Sequence, residues 1–323
     1  MRARPLLAAL AALAALAVAC SRGQGADRAA GPTASTPRAA AGFDWEHPAA
    51  ALDLGAEDVA ARLGSFDWSA AIEWTVSREG DEARRVRAVE HHRVKQSATG
   101  EFEVKAEIDP GLGAGSETGK ELVYAGGMTY ARARYAPFRE RPTDHGRDAR
   151  RYRDESFLSA RALARLLGPA LELRPAGDAE VLRRPAKKLA IVLAKGAAPA
   201  SPVTRPADPA PDEDTKRRRA FVDGLRPQAA TGEVVLDAAT GAPLRFRLTA
   251  TFGVDGDPTV HATVELLAQV KALGAEVAAV APPKALPDER KAAGVANALE
   301  AAGLKKHGEE KGGREPAEDA GED

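Results

Sequence analysis

The residues best suited to chemistry are six histidines, one cysteine and a run of arginines. The histidines, His47, His91, His92, His145, His261 and His307, form neither His-x-x-x-His nor His-Glu-x-x-His, the spacings that place two ligands on one helical face. His91 and His92 sit in a segment that reads as a strand, so they point to opposite faces and do not chelate one ion together. The stretch Gly111 to Glu121 resembles a phosphate loop at first sight. Ala114 stands where its first glycine is required, and Glu121 where serine or threonine would meet Mg2+. The segment also leads into a strand, whereas phosphates need a helix N-terminus. No Gly-x-Ser-x-Gly elbow occurs. No catalytic set, metal site or cofactor site is therefore expected, and the chain reads as a non-enzyme. An enzymatic reading would need His91 or His261 to gather several acids in space.

Arg132, Arg134, Arg139, Arg141, Arg147, Arg150, Arg151 and Arg153 crowd a short stretch with Tyr130, Tyr135 and Tyr152. Arg132, Arg134, Arg147, Arg150 and Arg151 are the candidate contacts for an anion such as a phospholipid headgroup or an acidic partner. The competing reading is a solvated face balanced by Glu140, Asp144, Asp148, Asp154 and Glu155. Nucleic acid is not expected, because the net charge is -1 and such proteins carry a basic footprint.

Cys20, the only cysteine, follows the apolar run Leu6 to Ala19, which is preceded by Arg2 and Arg4. A basic start, a short apolar stretch and small residues before the cut form a secretory signal, and the run is too short for a membrane-spanning helix. A cysteine directly after the cut resembles the lipobox of bacterial lipoproteins, with Ala17 where that family usually has leucine. The resemblance implies a lipid on Cys20 and attachment to a membrane outside the cytoplasm. Ser21 resembles the signal for the outer membrane, facing the periplasm. With Cys20 lipidated, no thiol remains for disulfides or thiolate chemistry. Without lipidation, the same segment would serve as a plain secretory signal.

These groups must be positioned by a chain of 323 residues that is 44% hydrophobic but only 5% aromatic. Residues 1–19 read as the signal. Residues 20–42, rich in Ala, Gly, Ser, Thr and Pro, read as a lipidated flexible tether whose average span is roughly 25 Å. Residues 43–286 read as one folded domain. Within it, Ala56 to Leu63 has acids in its first turn and Gly64 after its end, which predicts a short helix. From Trp68 to Val76, Phe102 to Ile108, Leu244 to Phe252 and Val260 to Val270 the apolar residues alternate with polar ones. That pattern predicts half-buried strands of an antiparallel sheet. Gly126-Gly127 predicts a tight hairpin, and the stretches 237–243 and 253–258 predict two more turns. Ser156 to Leu167 predicts a longer helix capped by Ser156 and stopped by Gly168-Pro169. Residues 196–219 read as a disordered insertion. Residues 287–323 read as a weak helix, from Asp288 to Leu304, and a charged tail.

The stretch Thr231 to Leu244, a strand, a turn of Asp, Thr, Gly and Pro, and a returning strand, resembles the LolA/LolB-like lipoprotein carriers and lipid-binding lipoproteins. A closing strand from Glu276 to Ala281, ending at Pro282, also fits. The resemblance covers 45–283 in outline, and no family site residue maps onto this chain. It implies an α+β fold, a curved antiparallel sheet forming an incomplete barrel with a few short helices packed on one face. The helices at 56–63 and 156–167 would then form a lid. Two readings stand. In one, the chain is a membrane-anchored envelope lipoprotein that binds or carries a lipid or other apolar ligand in the cavity of the sheet. In the other, the sheet is filled by its own side chains and the protein acts through surface contacts with another envelope component, such as an envelope protein.

Overall fold

Residues 43–113, 115–194 and 220–288 are described by the computed structural model. Twelve strands form a single open sheet: β1 (Phe66–Arg78), β2 (Asp81–Gln96), β3 (Phe102–Asp109), β4 (Thr118–Ala125), β5 (Met128–Ala133), β6 (Phe138–Arg141), β7 (Leu171–Val181), β8 (Arg184–Leu193), β9 (Leu225–Asp237), β10 (Pro243–Val254), β11 (Asp257–Leu273) and β12 (Ala285–Leu286). Among the helices that accompany them are α1 (Ala56–Leu63), α2 (Arg147–Phe157) and α3 (Ser159–Leu167). The fold is α+β, with a curved, mostly antiparallel sheet that does not close.

The strand order is β12-β6-β5-β4-β3-β2-β1-β11-β10-β9-β8-β7. Two meanders, β1–β6 and β7–β11, are thus joined along the seam between β1 and β11. Across the seam, Trp68 pairs with Val270, Ile72 with Leu266 and Trp74 with Val264. Each strand of the pair alternates between buried and half-buried residues, so one face of the sheet is apolar and the other meets water. The connection from β6 to β7 must carry the chain from one side of the sheet to its far edge. It does so over the apolar inner face, and α2 and α3 are that crossing.

The strands expected from alternation are present, extended by a few residues at their ends, and the helix at 56–63 has the expected bounds. The hairpin at Gly126-Gly127 joins β4 to β5, and both glycines have positive φ, 58° and 76°. The expected helix at 156–167 is instead two. α2 begins at Arg147, and Leu158, at φ -84° and ψ 8°, separates it from α3. Ser156 lies inside α2 and caps nothing. The expected closing strand at 276–281 is not one either. Residues 274–276 form a 3-10 turn, and pairing resumes only at β12, which runs parallel to β6. In between, Val280 covers Val123, Ala125 and Phe138 in a small second core. By strand parity Val123 and Ala125 lie on the outer face, so this segment acts as a strap there rather than as a ladder strand. The signal, Cys20, the tether, the insertion at 196–219 and the helix and tail beyond residue 288 lie outside the described residues.

Candidate functional site

Most inward positions along the register are apolar, with Glu90, His92 and Gln96 of β2 among the buried polar exceptions. One row runs Ala131, Leu122, Val104, Val94, Trp68 and Val270, all buried. Another contains Ile72, Leu266, Leu248, Gly232 and Ile191. Gly232 is required there: its φ is +152° and a Cβ would stand 2.1 Å from the Arg247 carbonyl oxygen.

Over this face lies a lid made of a 3-10 turn (Pro48–Asp53), α1, α2 and α3. α3 presents Ala160, Leu163, Ala164 and Leu167, the i, i+3, i+4, i+7 stripe of an amphipathic helix, and all four are buried. Phe157, at the end of α2, rests against the rings of Phe66 and Trp68 with centroids 5.6 and 5.0 Å away. Where lid and sheet meet, Leu52, Trp68, Phe157, Leu158 and Phe246 help line a cavity of about 30 Å³. A cavity of that size admits water-sized molecules only, so lid and sheet are closely apposed.

Arg153 fastens the lid. Its side chain is 2% exposed and its guanidinium lies 4.6 Å over the ring of Phe102. It donates to Gln96 Oε1 at 3.1 Å, to Glu57 Oε1 of α1 at 3.1 Å and to Asp154 Oδ1 at 2.9 Å. One side chain of α2 therefore holds β2, β3 and α1 together. Burial pushes the Asp154 carboxyl above its usual range, although the hydrogen bond and charge of Arg153 act the other way. Two more ionisable groups are buried on the inner face of β2. Glu90 is 2% and His92 4% exposed, with Glu90 Oε2 3.2 Å from His92 Nε2. Burial raises the Glu90 carboxyl, opposed by His92.

The arginines singled out in the sequence do not converge. Arg132 and Arg134 lie on the outer face of β5 and at its end. Arg132 donates to Glu121 Oε2 at 2.8 and 2.5 Å and covers Phe138, and Arg134 stacks on Tyr135, 3.9 Å from Glu107. With Lys105 they line an outer groove of about 220 Å³ that carries both signs of charge. Arg147, Arg150 and Arg151 are on α2, over the inner face. Arg150 donates to the His145 carbonyl at 2.8 Å, and Arg151 lies 3.5 Å from Asp148 and 3.9 Å from Glu155. His91 is exposed and His92 buried, on opposite faces as their adjacency requires. His261 meets Glu79 at 3.2 Å. Among the described residues, no group of three or more His, Cys, Asp or Glu is placed to hold a metal ion, and no helix is long and apolar enough to cross a membrane.

Sequence reasoning missed Arg153, Glu90 and Gln96 as site residues. Each occupies an inward position that patterning reserves for an apolar residue. The signal was present for Glu90 and His92, since Val86, Ala88 and Val94 share their parity on β2.

The class these features define is an open antiparallel sheet with an apolar inner face under a helical lid. No family profile and no curated protein matches the sequence. Solved structures overlap it weakly. A DUF1329 family protein from Desulfovibrio piger is 11% identical over 69% of this chain and 93% of its own, with a TM-score of 0.21. A LolA superfamily protein from Nitrosomonas europaea is 7% identical over 71% and 96%, at 0.20. A domain described as an outer membrane lipoprotein-sorting protein from Vibrio parahaemolyticus is 11% identical over 69% and 92%, at 0.19. At such scores the fold class rests on the strand order and register alone.

Proposed function

We propose that this chain is a membrane-anchored envelope lipoprotein that binds an apolar ligand, such as a lipid acyl chain, between the inner face of its sheet and the helical lid. The observation that carries this reading is how the lid is built. It is a layer of short helical segments, α2 and α3 on the crossover between β6 and β7 and the others ahead of β1, resting on a largely apolar face and meeting it around the cavity between Trp68, Phe157 and Phe246. A layer joined to the sheet by side chains alone is able to separate from it and admit a chain-like ligand. The apolar area then uncovered supplies the affinity, at about 25 cal/mol per Å². The reading assigns no catalytic residue. The anchor is the lipid on Cys20, after the signal that ends at Ala19, and the address is the outer membrane facing the periplasm. Ligand transfer would occur at that surface, since a tether of the length of 20–42 keeps the domain within a few tens of ångströms of the bilayer.

The second reading, a filled sheet that works through contacts with another envelope protein, is favoured by the volume of the same cavity, about 30 Å³. One experiment separates the two. The full chain is purified from membranes of cells fed labelled palmitate and examined by native mass spectrometry. The first reading expects label on the wild type and none on Cys20→Ala, together with a non-covalent lipid that leaves on collisional activation. A labelled protein with no non-covalent lipid, and no uptake of added lipid, would refute ligand binding and leave the contact reading.

A further inference from the structure

Glu90 and His92 are ionisable residues buried on the inner face of β2. The register sets Glu90 between Ile72 and Ile108, and His92 between Ala70 and Ala106. His92 Nε2 is satisfied by Glu90, but Nδ1 is buried with no hydrogen-bond partner. Buried polar atoms are almost always partnered, so an open one marks a place that a water, an ion or a ligand group can fill. The imidazole serves either way. When Nε2 donates to the Glu90 carboxylate, Nδ1 is an acceptor, and when a protonated Glu90 donates to Nε2, Nδ1 carries the hydrogen and donates.

The same row leads to solvent. Ala106 pairs with His92 on one side and with Lys120 on the other. Lys120 is exposed at the rim, its amine 4.9 Å over the ring of Tyr152 on α2. Adjacent strands are about 4.8 Å apart, so the backbones at His92 and Lys120 are separated by roughly 10 Å. Ala106 between them has only a methyl group. A small anionic group lying over Ala106 would meet the Lys120 ammonium on the solvent side and His92 Nδ1 on the buried side.

We propose that His92, held by Glu90, and Lys120 form the headgroup site for a single-chain amphiphile ending in a carboxyl group. The ligand's hydrocarbon chain runs along the apolar rows beneath α2. A carboxyl group fits because it offers an acceptor when ionised, a donor when protonated, and a negative charge toward Lys120. Access requires α2 to lift from β2 and β3. The proposal rests on the apolar-ligand reading above and gives it a ligand class and a polarity.

The test is photo-crosslinking of the full membrane-bound chain with a diazirine-bearing palmitic acid and, separately, its methyl ester. Labelling is quantified on the intact protein and mapped by peptide mass spectrometry. The acid is expected to label the wild type at least tenfold more efficiently than the ester, with adducts on peptides of β2 to β4. In the double variant Glu90→Leu, His92→Leu, the acid falls to the level of the ester while thermal stability is kept or raised. Lys120→Met, whose unfolding midpoint is measured alongside because the amine also rests over Tyr152, lowers the preference at least threefold. His92→Asn, which restores a polar group near Nδ1, recovers part of it. If acid and ester label equally, or the double variant and Lys120→Met both keep the preference, the headgroup site is overturned and apolar-ligand binding stands. If neither probe labels the wild type, both fall.

Discussion

Phe157 is the side chain on which lid and sheet most directly depend. Its ring is 5% exposed and contacts Phe66 and Trp68 at once. Truncation to alanine removes the buried ring and leaves a hole beside the existing cavity of about 30 Å³. Phe→Ala changes in well-packed cores cost about 3–5 kcal/mol, and each aromatic pair contributes about 0.5–1.5 kcal/mol of this beyond its area. With a urea m-value of about 2–3 kcal/mol/M, the midpoint falls by roughly 1–2.5 M. Urea titration followed by tryptophan fluorescence and far-ultraviolet circular dichroism reads this directly, since Trp68 lies against the deleted ring. The enlarged cavity is lined by apolar groups and should take a small aromatic such as benzene or indole. At 100 times its dissociation constant such a probe restores about 2.7 kcal/mol to the variant. The wild type, with a cavity of only about 30 Å³, gains much less. A loss below about 1 kcal/mol would show that α2 is not held by this contact. A probe that stabilises wild type and variant equally would show that it binds elsewhere, and either result would refute the reasoning.

Two further outcomes follow from particular side chains. Asp237 is buried at the β9–β10 turn, accepting from Arg184 Nε at 2.6 Å, Thr240 Oγ1 at 2.7 Å and the Thr240 amide at 2.9 Å. Burial pushes its carboxyl up, but the bonds from Arg184 and Thr240 prevail and hold it below its usual range. Its contribution is therefore present at neutral pH and lost as pH falls through the folded-state value. Asp237→Asn should cost about 1.5–3 kcal/mol at pH 7, and the deficit should shrink below about pH 4, as urea titrations at several pH values would reveal. A deficit constant with pH would contradict the assignment. Gly232→Ala must push β9 from β10, because the new Cβ meets the Arg247 carbonyl, whereas at Gly256 a Cβ meets nothing within 4 Å. Thermal melts should show a loss of at least about 2 kcal/mol for Gly232→Ala and about 1 kcal/mol for Gly256→Ala, and equal losses would contradict the close approach.

How much of this was legible in the sequence differs from strand to strand. β1, β3, β10 and β11 alternate strictly because one of their faces packs and the other meets water, so their residues betray them. β7 is an edge strand with residues exposed on both faces, and it has no such alternation to read. In α2 the buried positions are Ala149, Arg153, Ser156 and Phe157. Two of the four are polar, so a helix stripe looks like part of a charge cluster. Arg153 is inward because Phe102, Gln96 and Glu57, distant in sequence, receive it, and no local pattern encodes that. The same holds for the site as a whole. The apolar face was visible as alternation, whereas the buried pair Glu90–His92 and the rim Lys120 become neighbours only through the register of three strands.

The seam between β1 and β11 has a consequence for how the chain assembles. Within each meander, neighbouring strands are close in sequence, and their hairpins close short loops. The seam pairs Trp68 with Val270, residues about two hundred positions apart. Its closure entropy must be met before any of its contacts form, so the ladder that joins the meanders belongs to the late, slow part of folding. Until then both meanders carry an unpaired central edge, at β1 and at β11, lined by tryptophan, isoleucine, leucine and valine. Those edges are the template on which two unfinished copies would pair with each other. The interval before the seam closes is therefore when this protein is most exposed to aggregation.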